Sequence, residues 1–207
     1  MKEFAADINS AAKRLSRMIS NMLDLDRMEF GRMTIYPEQV DVNALLTAVV
    51  GQIQPTDLKH SFRFQLDDTV PLIVGDRDKL IQVITNLVTN ALKYSPDGGE
   101  ILLSSCVEAD TVHVQVQDQG IGIPANALQL VFERYRRIEA ESTRYIKGTG
   151  LGLPLVRQII STHGGKTWAG STLGQGSIFH FTLPIARPPK TVEDKSGWKE
   201  DLKSYDS

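Results

Sequence analysis

Residues 84–99 read ITNLVTNALKYSPDGG, an apolar segment that nevertheless carries asparagines at 86 and 90 and a lysine at 93. Extended back to Asp76, a suitable N-cap, the pattern is that of a helix over 77–94. Leu80, Val83, Ile84, Leu87, Val88, Ala91 and Leu92 recur with the 3.6-residue period of a face bound for a core. Lys79, Gln82, Asn86, Asn90 and Lys93 occupy a second flank at spacings of three and four, so their side chains stack along one edge. An asparagine offers a carbonyl oxygen and an amide, suited to a hydrated cation or a polar ligand group. Magnesium keeps most of its waters and takes few protein oxygens beside substrate phosphates. One such oxygen with a nearby lysine therefore suits a triphosphate and its metal. A solvated helix edge would carry the same residues, so this helix alone does not decide the matter.

At 207 residues the chain can hold one good-sized core with a small appendage, or two modest domains. An apolar share of 41% with 23% charged residues fits a soluble globular protein, and a net charge of −2 gives no global basic field for nucleic acid. One cysteine, Cys106, excludes an internal disulfide and fits a reducing compartment. No apolar run approaches the roughly 20 residues of a membrane span, and MKEFAADINSAAKRLSR lacks the apolar core of a signal peptide. The expectation is a cytoplasmic fragment without its own membrane contact, with membrane anchoring of a longer parent left open.

Around the central helix the chain reads as mixed α and β. Residues 3–29 suggest a long heptad helix, with Phe4, Ile8, Ala11, Leu15, Met18, Met22 and Leu25 in the seam and Gly31 as a C-cap. That seam calls for partner helices. Positions 32–36 (RMTIY) read as a short strand followed by a polar PEQ, and Asp41 or Asn43 caps a helix running to about Gly51–Gln54. Residues 60–66 alternate with Phe62, Phe64 and Leu66 on one face, and LIV (72–74) is a brief strand. Segments 100–107 and 111–118 form a hairpin, 152–163 a helix, and 165–170 with 177–183 two further strands around a Gly-rich turn. Hairpins with intervening helices and no strict βαβ repetition predict an α+β fold, a two-layer sandwich with a mixed sheet. From Ala186 onward, prolines and charges predict a loose polar tail.

Three further segments shift the balance for the asparagine helix. DQGIGIP (118–124) follows an alternating strand, so Asp118 stands at a strand end with Gly120 and Gly122 permitting a sharp turn beside a flat ligand. A carboxylate there can accept a hydrogen bond from an exocyclic amine, as on adenine. GTGLGLPLVRQII (148–160) brings Gly148, Gly150 and Gly152 into a helix start whose backbone N–H groups can hold phosphate. It matches neither a Walker loop nor a dinucleotide fingerprint. Between them lies VFERYRRIEAESTRYIKG (131–148), rich in arginine and poor in small apolar residues, which reads as a lid whose cations meet phosphates. In GSTLGQGSIFHFTLP (170–184), Gly174 and Gly176 make a tight turn before the last strand.

In this order the pieces resemble the ATP-binding catalytic domain of sensor histidine kinases, of the superfamily that also holds DNA gyrase B, Hsp90 and MutL. The resemblance covers 33–184, about three quarters of the chain. ITNLVTNALKYS resembles the family's N box, DQGIGIP its G1 box, VFERYRR its F box, GTGLGLPLV its G2 box and GQGSIFHFTLP its G3 box. It implies a Bergerat-type fold, with ATP and Mg²⁺ as ligands. By the same resemblance Asn90 coordinates Mg²⁺, with Asn86 beside it at the phosphates. Lys93 faces the phosphate or ribose side and Tyr94 borders the base. Asp118 hydrogen-bonds the adenine amine, Gly120, Gly122 and Ile123 shape the pocket, and Phe132 anchors the lid. Arg137 approaches the γ-phosphate, and with Lys93 it is the implied catalytic pair. The run Lys147, Gly148, Thr149, Gly150, Leu151, Gly152 and Leu153 closes over the nucleotide. Two departures stand out: Arg136 occupies a position where many relatives have an aromatic residue, and Pro154 one where a small residue is usual.

Residues 1–31 resemble the second helix of the dimerisation and phosphoacceptor hairpin, 32–185 the catalytic domain, and 186–207 are the tail. None of His60, His113, His163 and His180 has the sequence context of a phosphoacceptor, and structural roles are expected for all four. The resemblance thus implies a protein-histidine kinase fragment that binds ATP–Mg²⁺ without autophosphorylating. Its γ-phosphoryl acceptor would be a histidine on the missing upstream helix or on a dimer mate of a homodimeric parent, with a response regulator receiver domain downstream. A non-catalytic nucleotide-sensing module and the serine-kinase or ATPase branch remain as alternatives. Against the gyrase-like ATPases stands Gln82, four residues before Asn86, where a glutamate base would be wanted.

Overall fold

The computed structural model describes residues 34–54, 57, 59–136 and 149–185, with isolated positions Ala12, Leu15, Ser16, Ile19, Ser20, Met22 and Leu23. No helix among the described residues is long and apolar enough to cross a membrane. The elements run β1 (Glu38–Val40), α1 (Val42–Ile53), β2 (His60–Leu66), β3 (Ile73–Gly75), α2 (Arg77–Tyr94), β4 (Gly99–Glu108), β5 (Thr111–Gln117), α3 (Gly152–Thr162), β6 (Thr167–Thr172) and β7 (Gly176–Pro184). Five strands form one sheet in the order β2-β4-β5-β7-β6, and β1 pairs with β3 in a separate antiparallel ribbon. Only β2 and β4 pair in parallel within the large sheet, so it is mixed, as the sequence predicts.

Alternation along the strands divides the sheet into two faces. Ile101 and Leu103 on β4, Val112, Val114 and Val116 on β5, and Phe179, Phe181 and Leu183 on β7 are buried. They form a single core with Leu45, Leu46, Val49 and Val50 of α1, Leu80, Val83, Ile84, Leu87, Val88 and Ala91 of α2, and Leu155, Val156, Ile159 and Ile160 of α3. The other face carries the intervening residues, mostly polar, with Leu102, Ile178 and Trp168 among them. All three helices bury an apolar stripe on the same side, so the molecule has two layers, sheet and helix.

Local chemistry explains the element boundaries. Asp76 caps α2 by accepting from the Lys79 N–H at 3.1 Å, and its second oxygen accepts from the Tyr36 N–H at 3.1 Å. Asp41, not Asn43, caps α1, accepting from the Ala44 N–H at 3.0 Å. Asn43 instead ties the helix to the sheet: its amide donates to the Asp67 carbonyl and its oxygen accepts from Ser105 Oγ. The first strand departs from expectation. Residues 34–36 are not strand, and β1 lies in the stretch read as polar connection, because Val40 is the position that buries against Ile73 while Tyr36 stays 75% exposed. The third strand begins at Ile73, with Leu72 exposed before it. Of the expected heptad helix, only the isolated positions named above are described. Those are helical, with Leu15, Ile19, Met22 and Leu23 exposed. The remainder of that helix, Gly31 and the tail from residue 186 lie outside the described residues.

His163 fastens the helical layer to the rest of the core. At the C-cap of α3, its Nδ1–H donates to the Ile159 carbonyl at 2.8 Å, and its Nε2 accepts the Asp76 N–H at 2.9 Å. Accepting the Asp76 N–H requires the neutral ring, whereas the Nδ1–H bond survives protonation, and burial holds the pKa below the ordinary histidine value. Since the unfolded chain binds the proton first, this contribution is intact above about pH 6.5 and is lost as pH falls toward the lowered folded value. His180 is shifted in the same direction and adds to the slope. We therefore expect stability, measured by urea denaturation, to fall between about pH 6.5 and 5. His163→Leu should cost about 1–3 kcal/mol at pH 7.5 by orphaning the Asp76 N–H, and should flatten the acid slope. An unchanged slope in that variant would rule the linkage out.

Candidate functional site

Asp118 leaves the end of β5 on the helix side and is 2% exposed. Its Oδ1 accepts two backbone N–H groups, from Gly120 at 2.9 Å and from Ser177 at 3.2 Å. Its Oδ2 has no hydrogen-bond partner among the described residues. Burial pushes the carboxyl pKa above its ordinary value, while the two N–H groups pull it down. One oxygen is thus fixed by the fold, and the other is left as a strong acceptor.

The chain beyond Asp118 is placed by close backbone approaches. A Cβ on Gly120 would lie 2.0 Å from the Tyr94 carbonyl oxygen, and the Ile121 N–H donates to that same oxygen at 3.0 Å. At Gly122, φ is +69° and a Cβ would meet the Thr172 carbonyl at 2.2 Å. These contacts press the segment onto the C-terminal end of α2 and onto the β6–β7 turn. Ile123 is nearly buried, and its N–H donates to Ser171 Oγ at 2.7 Å.

Tyr94 and Ser95 therefore stand next to Gly120. Ser95 Oγ is buried with no partner among the described residues. A buried hydroxyl without a partner costs about 1–3 kcal/mol, a cost that a ligand group at this position would remove. Sequence reasoning missed Ser95 and also Ser171. A small polar residue following the asparagine helix was the available signal for Ser95, but its lack of a partner is a property of the packing alone.

The polar flank of α2 lies as its spacing predicts. Asn86 donates from Nδ2 to the Gln82 carbonyl at 2.8 Å, and its Oδ1 lies 3.1 Å from where a Cβ on Gly152 would be. Asn90 is one turn on and half-buried, and its side chain makes no hydrogen bond to another described residue. Lys93 donates from Nζ to the Tyr94 hydroxyl at 3.1 Å and lies 4.4 Å from the Tyr94 ring centroid.

The start of α3 faces this flank. Leu151, the N-cap, offers no side-chain cap, and the Gly152 and Leu153 N–H groups have no partner among the described residues. Pro154 follows within the first turn, where its missing N–H costs no helix bond, as expected. Leu151 itself is fully buried, main chain included, so it presents no surface to a ligand here, and its N–H makes a 3.4 Å contact with Thr149 Oγ1. Gly150, at φ +70°, accepts from the Tyr135 N–H at 3.3 Å. Phe132 packs edge-on to Phe179 with centroids 6.4 Å apart, and Arg136 pairs with Glu133 at 3.2 Å. Arg137, Lys147 and Gly148 lie outside the described residues.

The described groups therefore converge along one edge: an acceptor at the sheet, an unpartnered hydroxyl and amide on α2, and unpartnered backbone donors on α3. A purine amine, a hydrated cation and phosphate oxygens complement these groups in turn.

Comparison with known proteins agrees. Residues 75–187 match the family described as Histidine kinase-, DNA gyrase B-, and HSP90-like ATPase. The chain is 32% identical to the sensor histidine kinase WalK of Bacillus subtilis over 191 residues, 91% of this chain and 30% of that protein. It is 36% identical to the adaptive-response sensory kinase SasA of Thermosynechococcus vestitus over 179 residues, 85% of this chain and 47% of that protein. The chain thus spans less than half the length of either relative. Among solved structures, full-length ShkA in complex with AMPPNP superposes with a TM-score of 0.76 at 24% identity, covering 91% of this chain and 40% of that one. The nucleotide-free catalytic domain of the histidine kinase ThkA superposes with a TM-score of 0.62 at 28% identity, covering 74% of this chain and 97% of that one. By sequence and by fold, the chain belongs to the histidine kinase-, DNA gyrase B- and HSP90-like ATPase family, and its folded core is the ATP-binding catalytic domain of a sensor histidine kinase.

Proposed function

We propose that this domain binds ATP with Mg²⁺ and delivers the γ-phosphoryl group to a histidine nitrogen on a phosphoacceptor helix, of the same parent or of its dimer mate. The observation that carries this reading is Asp118, buried, with one oxygen pinned by two backbone N–H groups and the other open. The open oxygen accepts from the adenine amine. Ser95 Oγ, beside Gly120, completes its bonding at the same end of the site. Asn90 offers the side-chain oxygen that fits a hydrated Mg²⁺, and Asn86 stands next to it at the phosphates. The Gly152 and Leu153 N–H groups supply donors to phosphate oxygens.

Mg²⁺, when bound, neutralises charge that builds on the phosphate oxygens as the phosphoryl group moves. The chain's own contribution is to hold the nucleotide in line and to keep water out. Lys93 and Arg137 are the cations assigned to the phosphate side. Transfer forms the nitrogen–phosphorus bond on the acceptor imidazole, breaks the bond to the bridging oxygen, and leaves ADP. Because the acceptor is supplied by another segment, this chain alone binds nucleotide without phosphorylating itself.

We assign residues 1–31 to the second helix of a dimerisation hairpin in a homodimeric parent, 32–185 to the catalytic domain, and 186–207 to a polar tail. In support, the WalK match extends over 91% of the chain, well beyond the family match, and Leu15, Ile19, Met22 and Leu23 present apolar surface at helical positions. A response regulator receiver domain would take the phosphoryl group onward, and a cytoplasmic location is consistent with this chemistry. A gyrase-like hydrolase is less well supported, since Gln82 offers no carboxylate to activate water.

Calorimetric titration with a non-hydrolysable ATP analogue tests the site. Asp118→Ala should weaken binding at least about tenfold, the equivalent of a hydrogen bond to a charged acceptor. Unchanged affinity in a folded variant would refute the assignment of the purine contact. Asn90→Ala should retain metal-free nucleotide binding and lose most of the gain from added Mg²⁺, and an undiminished gain would exclude Asn90 as the metal residue. Affinity should also decline on acidification at a pH above the ordinary aspartate range, because the raised Asp118 carboxyl protonates earlier than a solvated one. A flat profile down to pH 4.5 would contradict an ionised Asp118 as the acceptor.

A further inference from the structure

The open face of the sheet holds a cluster that nucleotide binding does not use. Cys106 and Glu108 lie two residues apart on β4, and His113 on β5 is the register partner of Cys106. All three side chains point away from the face that carries Val112, Val114 and Val116. Their donor atoms lie within 4.8 Å of one another. Glu108 Oε1 is 2.8 Å from His113 Nδ1 and 3.8 Å from Cys106 Sγ.

Three features distinguish this trio from a chance surface grouping. First, His113 is only 5% exposed although its strand face is the open one, because rings cover it. It stacks on Trp168 with centroids 5.1 Å apart and on His180 at 5.3 Å, while Trp168 and His180 stack on each other at 4.9 Å, nearly parallel. Second, His113 Nε2 lies 3.2 Å from His180 Nδ1. A carboxylate only accepts, so His113 Nδ1–H donates to Glu108 Oε1 and Nε2 accepts from His180 Nδ1–H; a cation at Nδ1 would displace that proton, and His113 would then donate from Nε2–H to His180. A second hydrogen-bonded partner that fixes tautomer and ring plane is the usual companion of a metal-ligating histidine. Third, the neighbourhood is negative, since Asp67 adds its charge to that of Glu108 near Cys106.

The geometry points to a zinc-class divalent cation site formed by Cys106 Sγ, Glu108 Oε1 and His113 Nδ1, with His180 as its positioning residue. Zinc bonds of about 2.0–2.3 Å at tetrahedral angles set ligand atoms roughly 3.3–3.7 Å apart. The sulfur–oxygen distance already fits, whereas the sulfur–nitrogen pair, within 4.8 Å, must close by up to about an ångström through rotation of the Cys106 side chain. The oxygen–nitrogen pair must open by about half an ångström, which the half-exposed Glu108 side chain can supply by rotation. Thiolate and imidazole select zinc over magnesium or calcium, so this site and the Asn90 site on the opposite side of the sheet take different ions. A water would complete the coordination on the solvent side.

The test is calorimetric titration of the chelator-treated, reduced chain with Zn²⁺, alongside absorption spectroscopy with Co²⁺. One stoichiometric site is expected, with a thiolate-to-cobalt charge-transfer band in the near ultraviolet. Cys106→Ser should abolish that band, and Cys106→Ser and His113→Gln should each weaken binding at least about tenfold. His180→Gln should weaken binding less while keeping the band. Asp118→Ala and Asn90→Ala should leave zinc affinity unchanged. Absence of a stoichiometric site, absence of the charge-transfer band in the wild-type chain, or binding that survives Cys106→Ser and His113→Gln would each overturn the inference. Loss of binding in Asn90→Ala or Asp118→Ala would do so as well, by moving the ion to the nucleotide side. Because the cobalt band is read on the unmodified chain, the inference stays falsifiable even if a variant fails to fold.

Discussion

The Tyr94 carbonyl oxygen occupies space that any side chain at position 120 would need, and it accepts the Ile121 N–H. This approach, backbone on backbone, joins the C-terminal end of α2 to the exit of β5. Asp118 lies two residues before it and Ser95 one residue after Tyr94, so the carboxylate on the sheet and the polar edge of the helix are set against each other by main chain. A second approach of the same kind holds Gly176 against the Asp118 carbonyl, where φ is +92° and a Cβ would lie 2.0 Å away. The glycines are fixed by the protein's own packing as well as by any ligand. A substituted Cβ at 120 would displace the Asp118 end of the site even with every contacting side chain intact.

The groups assigned to nucleotide all break a rule of stable folding. Asp118 is a buried carboxyl held out of water, and among the described residues Ser95 keeps an unpartnered hydroxyl, Asn90 an unpartnered amide, and α3 begins without a side-chain cap. Each costs stability in the free chain. They are not scattered: they line the junction of α2, α3 and the end of β5. Elsewhere the same sequence satisfies its polar groups carefully, as Asp76, Asn43 and His163 show. Concentrated violations within an otherwise consistent fold mark a surface built to be completed by something else.

Much of the fold was legible because the central helix and most strands announce themselves by period. The 77–94 helix, its Asp76 cap and the hairpin turn at Ala109–Asp110 lie where the pattern puts them. β1 was misread because apolar character in Met33–Tyr36 outweighed the single residue, Val40, whose burial decides the pairing. At the site, residue types and order were readable, whereas partnership was not. Nothing in the sequence tells that Asn86 bonds back to Gln82 while Asn90 is unpartnered, since the two differ only in what packs beside them. The histidines were read as structural, and His163 is that. His113 and His180 were unreadable as a stacked pair because the strand order, β5 beside β7, becomes known only once the sheet is assembled.

The hydrogen bond between Tyr135 and Gly150 has an evolutionary consequence. It brings together two residues fifteen positions apart in the chain, with Tyr135 held at φ +59°. Once a neck is fastened, doubling the chain between its two sides adds only about 0.6 kcal/mol of closure entropy. A change in the number of residues between Tyr135 and Gly150 therefore adds little closure entropy. Chain length between these two anchors can thus change at little cost to the scaffold beneath, so long as the cations assigned to the phosphates are kept.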